Sequence, residues 1–507
     1  CAGAGKTGVV TRRIINILKS NPNILPENIV AFTFTEKAAE ELKSRVYKYG
    51  EAVLGNTKGF ANMYIGTIHG CCLKMLQEYI VQFQKFTVLD EIKTKLYIEK
   101  NYNFCGMKDL GLKIYTETNL FLSVISTLNE NWFERDRWDE KTRNAVDKYK
   151  DTFYRKNYFD YSLIMQEMLN QLENNKDFAD IILNKIKYLT VDEYQDTNPI
   201  QERLIRFIKQ GGCNLCIVGD DDQTIYQFRG SDPENILTFR ERYGINKYIV
   251  LGTDYRSSEA IIDVAKRVIV NNTKRLPKVM ESGALVKYEE GDAVYREFND
   301  CEEEYEFIAK RIKALHAVGV KYSEIAVLLR KRKHGPDIAK MFDAYDIPYI
   351  IEGVNELFST AECQAAKGIF DYLSGTIGMM DLFQLWKNID YDLDAKEIAE
   401  AIATLDVIDV KPKKFYGEFV LQKVYHDFLR RISIVDNSNS SEIILYNLGK
   451  FSQVINDFET IYYTTTPASK LSSFCNFLKY TADGYYPEGH IANTYIRPDA
   501  VNIMTVH

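Results

Sequence analysis

The chain has 507 residues, 46% of them hydrophobic and 13% aromatic, and 64 Lys and Arg against 71 Asp and Glu give a formal net charge of -7. This composition excludes a collagen-like, mucin-like or wholly disordered protein, and the acidic balance argues against one that coats nucleic acid by bulk charge. A local basic surface remains compatible with it, because residues 1–80 carry ten Lys and Arg and six Asp and Glu. At about 150 residues per domain, the length predicts three or four folding units.

The sequence contains no targeting or membrane signal. No apolar run approaches the roughly 18 residues that cross a bilayer, and the first residues lack the order of a secretory signal. We therefore expect an intracellular, cytoplasmic protein without a membrane partner. Nine cysteines are scattered along the chain, and Cys213 and Cys216, which have CxxC spacing, lie in an apolar run. This placement favours core packing over a metal site, and disulfides are not expected in a reducing compartment.

Both ends of the sequence look cut. It opens without Met on CAGAGKT (residues 1–7), a phosphate-loop sequence that normally follows a buried strand, and it ends in the apolar run VNIMTVH (501–507). We expect a fragment of a longer protein.

The apolar spacing predicts helices and strands in alternation. Residues 9–19 have helical spacing, 29–34 form an apolar run typical of a strand, and 36–49 place apolar residues on one helical face after Thr35, the expected N-cap. Further strands are predicted at 63–67, 186–191, 214–218, 248–251, 324–329, 349–351 and 501–507, a helix is predicted from Pro199, and mainly helical stretches are predicted at about 80–185 and 375–490. The pattern indicates an α/β protein with two cores built on parallel sheets, each interrupted by a helical insertion.

The first chemical motif is the Gly-Lys-Thr segment near residue 1. Gly3 and Gly5 let backbone N–H groups approach phosphate oxygens, Lys6 can reach the β- and γ-phosphates, and Thr7 can ligate magnesium. A Gly-Lys-Thr triplet also occurs by chance in loops, so it supports a nucleotide site only together with a second motif.

That second site is Asp192 and Glu193, which follow the apolar run Leu189–Val191. In a nucleotide-binding sheet, such acids lie beside the phosphate loop, where Asp192 would hold magnesium and Glu193 would orient or deprotonate the attacking water. The alternative interpretation is a pair of helix N-cap residues at a strand-to-helix turn.

A third acidic run follows the strand predicted at 214–218. In VGDDDQTIYQFRG (218–230), Gln223 follows the acids, and Tyr226, Phe228 and Arg229 lie within six residues of it. Gln223 is predicted to sense a γ-phosphate, and the aromatic residues to offer surfaces on which bases stack. An acidic turn before a core aromatic cluster would explain the apolar atoms but not Arg229.

A fourth segment, TDYRSS (253–258), places Tyr255 and Arg256 before a predicted helix. Taken alone, this segment is also compatible with an exposed N-terminal cap of that helix.

In their order along the chain and in their residues, these segments resemble the motifs of the UvrD/PcrA/Rep-like branch of superfamily 1 helicases. The matching segments are CAGAGKT, AFTFTEKAAEELKSRV, IGTIHG, VDEYQDTNPIQ, VGDDDQTIYQFRGS, TDYRSS, VLLRKRK and VNIMTVH. The resemblance implies an ATP-dependent translocase that moves 3' to 5' on single-stranded DNA, with ATP and Mg²⁺ as cofactors, and unwinds duplexes in DNA repair, replication or recombination. It also implies duplex junctions, and nuclease or repair proteins, as partners.

The same resemblance implies two RecA-like P-loop domains with parallel sheets, each carrying a mainly helical insertion, that clamp ATP between them. Domain 1A would comprise residues 1–80 and 185–252, with the helical insertion 1B at 81–184. Domain 2A, which is incomplete, would comprise residues 253–374 and 491–507, with the helical insertion 2B at 375–490.

Site residues follow by position from the resemblance. Catalytic roles are expected for Lys6, Glu193, Gln223 and Arg256. ATP is expected to contact Ala2, Gly3, Ala4, Gly5, Lys6, Thr7, Gly8, Tyr255 and Arg256, with Tyr255 on the adenine, while Thr7 and Asp192 hold the metal ion. DNA is expected to contact Thr33, Phe34, Thr35, Thr67, His69, Tyr226, Phe228, Arg229 and His507. Aromatic surfaces accept any base, so such a motor can move without reading sequence.

Two positions depart from the pattern of the family. Phe228 stands where close relatives often have Trp, and Gly8 stands where some relatives place an Arg against the adenine. We therefore expect looser selectivity for the base of the nucleotide.

Several alternatives remain open from the sequence. A helicase joined to a nuclease, as in RecB- or AddA-like enzymes, would share these segments, and a DNA-binding scaffold could keep the ATPase shape without hydrolysing ATP. At single positions, Phe34 could belong to the core and His69 could cap the helix that begins near Gly70.

Overall fold

The computed structural model describes most of the chain. The described residues are 1–130, 135–227, 230–245, 248–283, 289–291, 293–351, 357–389, 391–410, 419–434, 439–462, 465–482 and 499–506.

Within these residues, helices predominate over strands. The helices are α1 (Lys6–Ser20), α2 (Glu36–Leu54), α3 (Ile68–Tyr79), α4 (Glu91–Lys100), α5 (Thr118–Glu130), α6 (Glu140–Tyr154), α7 (Tyr161–Asn174), α8 (Lys176–Lys185), α9 (Pro199–Gln210), α10 (Glu234–Leu237), α11 (Phe239–Tyr243), α12 (Glu259–Ile269), α13 (Cys301–Ala317), α14 (Gly335–Ala344), α15 (Ala361–Leu373), α16 (Met379–Lys387), α17 (Ala395–Asp406), α18 (Leu421–Leu429), α19 (Asn439–Tyr462) and α20 (Pro467–Tyr480). The strands are β1 (Ile29–Thr33), β2 (Tyr64–Thr67), β3 (Thr87–Val88), β4 (Tyr158–Phe159), β5 (Tyr188–Val191), β6 (Asn214–Ile217), β7 (Thr253–Asp254), β8 (Glu281–Ser282), β9 (Ala326–Leu329), β10 (Tyr349–Ile351) and β11 (Val501–Thr505).

The chain folds into two compact units. Unit 1 comprises Cys1–Asp90, Asn103–Leu112 and Asn119–Tyr295, and unit 2 comprises Glu91–Tyr102, Lys113–Thr118 and Arg296–His507. This partition does not test the four-part division into 1A, 1B, 2A and 2B, which stays a prediction.

Unit 1 is built on a four-stranded parallel sheet in the order β2-β1-β5-β6. Phe32 of β1 aligns with Gly66 of β2 and with Val191 of β5, and Val191 aligns with Ile217 of β6. The strands therefore end level with one another, and the residues that follow them share one edge of the sheet. Ligands of open parallel sheets bind at this carboxyl edge.

Helices α1 and α2 cover one face of this sheet because their apolar residues recur at helical spacing. Val10, Ile14 and Ile15 of α1 are fully buried in one cluster with Leu42 and Val46 of α2. The predicted N-cap at Thr35 is confirmed, since its hydroxyl accepts a hydrogen bond from the N–H of Ala38 at 3.2 Å. This cap fixes the point at which the chain leaves β1 and turns into α2.

The predicted strand at 248–251 is wrong. These residues carry no strand, and Tyr248, Ile249 and Val250 are 40%, 87% and 45% exposed. A β-branched run forms a strand only where a neighbouring strand pairs with it, and among the described residues only β5 pairs with β6. Just beyond this run, β7 pairs in parallel with β8 at Thr253–Asp254.

The stretch predicted as helical between 80 and 185 contains α4 to α8 and one short parallel pair, β3 with β4. Its core is aromatic, with Tyr149, Phe153 and Phe159 almost fully buried. Asp160 is buried there, caps α7 by accepting from the N–H of Leu163 at 2.7 Å, and also accepts from the Tyr149 hydroxyl. A buried carboxylate with these donors is satisfied structurally.

Unit 2 contains a three-stranded parallel sheet in the order β10-β11-β9. Ile312 of α13 and Ile338 and Phe342 of α14 pack against Val501 and Ile503 of β11 in one buried cluster. The strands predicted at 324–329, 349–351 and 501–507 are therefore observed, with β9 and β11 two residues shorter than predicted.

The rest of unit 2 is helical, as predicted for residues 375–490 within the described part of that stretch. Trp386 of α16 packs on Phe428 of α18 with ring centroids 5.2 Å apart, and both are fully buried. Helix α4 packs on α19, where Lys93 and Asp457 form an ion pair at 3.2 Å. Among the described helices, none has the length and apolar character needed to span a membrane.

Candidate nucleotide and nucleic-acid site

The carboxyl edge of the unit 1 sheet gathers the predicted motifs. Thr33 ends β1, Thr67 ends β2, Asp192 follows β5 and Gly219 follows β6 by one residue. Helix α1 begins in the same unit at Lys6. The sequence segments that carry the chemistry are thus brought together by strand alignment, although 185 residues separate Lys6 from the first acid along the chain.

The phosphate loop ends at the amino terminus of α1. Gly5 is the N-cap, in the left-handed region with φ of 75°, and it makes no side-chain cap. The first N–H groups of a helix have no intrahelical partner, and the helix dipole attracts negative charge there. With Lys6 and Thr7 in the first turn, this end of α1 suits a phosphate group. Gly8 has open space where a Cβ would lie, Ala2 is exposed and Ala4 is buried.

The loop is in close contact with the TDYRSS segment. The Gly3 carbonyl accepts a hydrogen bond from the N–H of Tyr255 at 3.1 Å, and a Cβ on Gly3 would meet Asp254 Oδ1 at 2.2 Å. Only glycine fits there, and its φ of 60° also favours glycine.

Asp254 was missed by the sequence reasoning. It is 6% exposed, and its Oδ1 accepts hydrogen bonds from the N–H of Arg256 at 2.6 Å and of Ser257 at 3.0 Å. It therefore shapes the turn that presents Tyr255 and Arg256, both exposed, next to the phosphate loop. An Asp two residues before an Arg at a turn is the signal that could have identified it.

Asp192 and Glu193 do not act as a capping pair: Glu193 stands at the N-cap position of the 3-10 helix Tyr194–Asp196, but its side chain makes no cap hydrogen bond there. Helix α9 is capped by Asn198, which forms a capping box with Gln201. Glu193 instead adopts φ of 48°, a left-handed conformation that is rare for a residue with a Cβ. Such strained residues cluster at functional sites.

Asp192 is buried in a setting that favours a cation. Burial first and the neighbouring Glu193 second raise the pKa of Asp192 to about 6, while the N–H of Glu193 and the charge of Lys6 lower it. A bound divalent ion would offset this cost of burying the carboxylate. Mg²⁺ prefers oxygen ligands and is commonly held by one or two protein groups together with substrate phosphates. The Asp192 carboxylate and the Thr7 hydroxyl fit that pattern.

Gln195 connects the two acidic segments and was also missed. Its Nε2 donates to Glu193 Oε2 at 2.9 Å, and its Oε1 accepts from the N–H of Asp220 at 2.9 Å. Gln195 is 1% exposed, so this bridge is rigidly packed. It ties the predicted catalytic base to the segment that follows β6.

Gln223 is held by Asp220. Its Nε2 donates to Asp220 Oδ2 at 2.6 Å, and Asp220 is 4% exposed. Because an ionised carboxylate can only accept hydrogen bonds, this contact fixes which end of the Gln223 amide faces Asp220. The side chain of Gln223 is half-buried at the start of the loop that continues to Tyr226.

The aromatic residues predicted to touch DNA form a pair. The rings of Phe34 and Tyr226 lie 5.0 Å apart between centroids at 32°, and both residues are partly exposed. Phe34 lies outside the strand, since β1 ends at Thr33, so the alternative that it belongs to the buried core does not hold. Two partly exposed rings at the carboxyl edge can take a base by stacking.

The predicted threonines act first as local structural groups. Thr33 donates to the Thr35 carbonyl at 3.1 Å, and Thr67 caps α3 by accepting from the N–H of Gly70 at 3.3 Å. The Thr67 hydroxyl also donates to Glu36 Oε1 at 2.8 Å. Thr35 is exposed, Thr67 is partly exposed and Thr33 is buried.

His69 does not cap α3, since Thr67 has that role and the helix begins at Ile68. Its ring lies edge-on to Tyr161 at 5.3 Å between centroids. Burial lowers the pKa of His69 to about 4, so the imidazole is neutral at neutral pH. Any contact it makes with a nucleic acid therefore does not depend on a positive charge.

Three predicted DNA contacts, Phe228, Arg229 and His507, lie outside the described residues. They stay predictions.

A cavity of about 550 Å³ borders the site along β6. Its lining mixes apolar residues with cationic ones, namely Leu215, Ile217, Phe239 and Leu251 with Lys6, Arg13, Arg240 and Lys278. Within the site, the start of α1 at Lys6 is the part that suits phosphate oxygens.

Comparison with known families agrees with this geometry. Residues 1–244 match the UvrD/REP helicase N-terminal domain, and residues 249–389 match the UvrD-like helicase C-terminal domain. The chain is 30% identical to a protein of Staphylococcus epidermidis named ATP-dependent DNA helicase PcrA, over 94% of this chain and 69% of that protein. It is 29% identical to the protein of that name from Staphylococcus aureus, over 91% of this chain and 60% of that protein.

Two helicase domain families thus follow one another along the chain, and the parallel sheets agree with two RecA-like domains that carry helical insertions. The predicted fold class is confirmed, and the chain belongs to the UvrD/PcrA-like family of superfamily 1 helicases.

Proposed function

We propose that this chain is the motor of an ATP-dependent DNA helicase that moves 3' to 5' on single-stranded DNA. Membership of the UvrD/PcrA-like family and the names of its PcrA relatives support ATP use and DNA as the track. The polarity rests on the resemblance of the sequence motifs to the family.

One observation carries the proposal. One short segment, Asp220 to Tyr226, carries groups for both ligands. Gln223, assigned to the nucleotide, donates a hydrogen bond to Asp220, and Tyr226, three residues after Gln223, pairs with the ring of Phe34. A change in what Gln223 contacts is thereby transmitted to an aromatic surface suited to bases. Such a connection is what a motor needs to couple hydrolysis with strand movement.

On the nucleotide side, the N–H groups at the start of α1 and the Lys6 ammonium bind the phosphates. Asp192 and Thr7 would hold Mg²⁺, which would supply positive charge against the phosphate oxygens. Glu193, tethered by Gln195, accepts a proton from the attacking water. Gln223 and Arg256 stabilise the charge on the transferring phosphate, an electrostatic task that depends on position.

On the DNA side, Phe34 and Tyr226 stack on bases, and Thr35, Thr67 and a neutral His69 contact the strand near them. Stacking is worth about 1–3 kcal/mol per base and does not discriminate among bases. The surface therefore lets the strand slide without sequence preference.

Replacing Lys6 by Ala, or Glu193 by Gln, in the full-length protein tests the proposal. Each substitution should abolish DNA-stimulated ATP hydrolysis, because one removes a phosphate ligand and the other the base, while single-strand affinity changes little. Lys19→Ala, at the exposed end of α1, is the matched control and should retain turnover. Undiminished hydrolysis in either site variant would refute the assignment, and so would activity lost equally in the control.

Polarity and role need separate experiments. A partial duplex with a 3' tail should be unwound and one with a 5' tail should not. We further propose a cytoplasmic protein acting at duplex junctions in repair, replication or recombination. The helicase–nuclease alternative predicts degradation of linear duplex DNA by the full-length protein, and the scaffold alternative predicts no ATP turnover at all.

A further inference from the structure

Lys278 lies against the acidic turn that precedes Gln223. Its Nζ forms ion pairs with Asp220, with Asp221 Oδ1 at 2.5 Å and with Asp222 Oδ2 at 2.9 Å. The Lys278 side chain is 7% exposed, and the three carboxylates are 3% to 9% exposed. One buried ammonium group thus forms ion pairs with three consecutive carboxylates.

The residues just before Lys278 complete this contact. Arg275 binds Asp222 with two parallel hydrogen bonds of 3.1 and 2.6 Å, and the N–H of Leu276 donates to Asp221 Oδ2 at 2.8 Å. Bidentate Arg–carboxylate pairs fix orientation as well as distance. Arg275 and Leu276 therefore give Asp222 and Asp221 a second partner besides Lys278, whereas the second partner of the Asp220 carboxylate is Gln223.

Charge explains why a cation is needed at this position. Three adjacent buried carboxylates repel one another, and a buried charge is tolerated only when it is paired. Burial alone would raise the pKa of Asp220, but the hydrogen bond and charge of Lys278, together with the hydrogen bond of Gln223, lower it. Asp220 is thereby kept ionised, so it accepts the hydrogen bond of Gln223 at all working pH values.

We propose that Lys278 is a positioning residue for ATP hydrolysis, which fixes Asp220 by an ion pair so that Asp220 holds the Gln223 amide towards the transferring phosphate. The inference rests on the proposed function, because it acts through Gln223. Lys278 lies in the segment NNTKRLPK (271–278), which is outside every segment that resembles the helicase family.

The test is steady-state ATP hydrolysis with saturating single-stranded DNA in the full-length protein. In Lys278→Met, kcat should fall by about 10- to 100-fold, because a misplacement of about 1 Å at a catalytic group can cost 10²-fold. The KM for ATP should stay within about threefold of the parent value, since an interaction made only in the transition state affects kcat and kcat/KM equally. Lys278→Arg, which keeps the charge, should recover most of the loss.

Lys274→Met is the matched control. Lys274 lies on the same segment as Lys278, its side chain is 79% exposed, and it pairs with Glu234 at 3.6 Å. Its replacement should therefore leave kcat unchanged. A Lys278→Met variant with parental kcat would overturn the proposal, as would an Arg variant no better than the Met variant.

A double variant separates positioning from a merely structural role. In a Gln223→Ala background, Lys278→Met should cause little further loss, because both substitutions remove one interaction. Independent, multiplying losses would contradict the proposal. If Gln223→Ala keeps the full kcat, the proposed role of Gln223 in hydrolysis is wrong. If Gln223→Ala loses kcat but Lys278→Met does not, only the positioning role of Lys278 is wrong.

Thermal unfolding of each variant accompanies the kinetics. Should Lys278→Met not fold, Lys278→Gln, which keeps a hydrogen-bond donor without the charge, takes its place with the same expected loss of kcat. If neither folds, Lys278 is required for the fold itself and the positioning role is wrong.

Discussion

Replacing Asp192 by Asn should stabilise the ligand-free protein while it abolishes hydrolysis. Burial and the adjacent Glu193 raise the pKa of Asp192 from 3.8 to about 6. At about 1.36 kcal/mol per pKa unit, ionising this carboxylate in the folded protein costs up to about 3 kcal/mol. Asn has the same shape and no charge, so the variant avoids that cost. It also lacks the anionic oxygen that would hold Mg²⁺.

The sign of the pH dependence follows from linkage. The folded-state pKa is above the unfolded value, so the stability contributed by protonated Asp192 is fully present below pH 3.8 and is lost as the pH rises through about 6. The advantage of Asn is therefore complete at pH 8 and about half as large at pH 5. For a domain of this size, about 3 kcal/mol corresponds to a rise in Tm of about 6–12 °C as an upper limit.

The assay is thermal unfolding without nucleotide or magnesium, at pH 8 and pH 5, together with ATP hydrolysis. Asp220→Asn is the control of opposite sign, because Lys278 lowers the pKa of that buried carboxylate to about 2 despite its burial. Asp220 stabilises the fold above pH 3.8, and its replacement should cost about 2 kcal/mol at pH 8. If Asp192→Asn shows an unchanged or lower Tm at pH 8, the electrostatic account of the site is refuted.

Three further predictions concern the loop and the DNA surface. Tyr226→Ala should weaken single-strand binding by about 1–3 kcal/mol, measured by fluorescence anisotropy, whereas Tyr47→Ala on α2 should not; equal affinities would argue against stacking at the Phe34 pair. Asp254→Ala removes the acceptor of the Arg256 and Ser257 N–H groups, which should lower the free energy of unfolding by about 1–3 kcal/mol. It should also lower kcat/KM for ATP about tenfold. A variant with the parental kcat/KM would show that the turn does not position Arg256. Because the pKa of His69 is about 4, its protonation should produce no step in DNA affinity between pH 6 and 8; a step that disappears in His69→Gln would contradict its neutral state.

The local motifs could be predicted from the sequence because each depends on neighbouring residues. A Gly-Lys-Thr triplet before helical spacing predicted the phosphate loop, and the helix does begin at Lys6. Thr35 was recognisable as a cap, because a short polar residue before a helical pattern needs only its own turn.

Long-range contacts were not predictable in this way. Tyr248–Leu251 has the composition of a strand but no pairing strand in the described structure, and pairing is a property of the neighbour. Gln195 appeared as an ordinary polar residue, because the N–H that it accepts from belongs to Asp220, 25 residues along the chain. The hydrogen bonds of Asp254 are local, but its close approach to Gly3 joins segments about 250 residues apart. The cap proposed for His69 was wrong, since Thr67 two residues earlier already satisfies the helix terminus.

The sequence by itself determined which groups are available: a cation and a hydroxyl at a helix start, two acids after a strand, and an amide followed by aromatics. Only the tertiary structure decided which of them meet, because the level ends of four parallel strands bring residues 33, 67, 192 and 219 to one edge. It also decided their charge states. Burial raises the pKa of Asp192, whereas Lys278, 58 residues beyond Asp220, keeps the buried Asp220 ionised. The energy of a buried charge depends on which partner the fold places beside it, and that information is not local to the sequence.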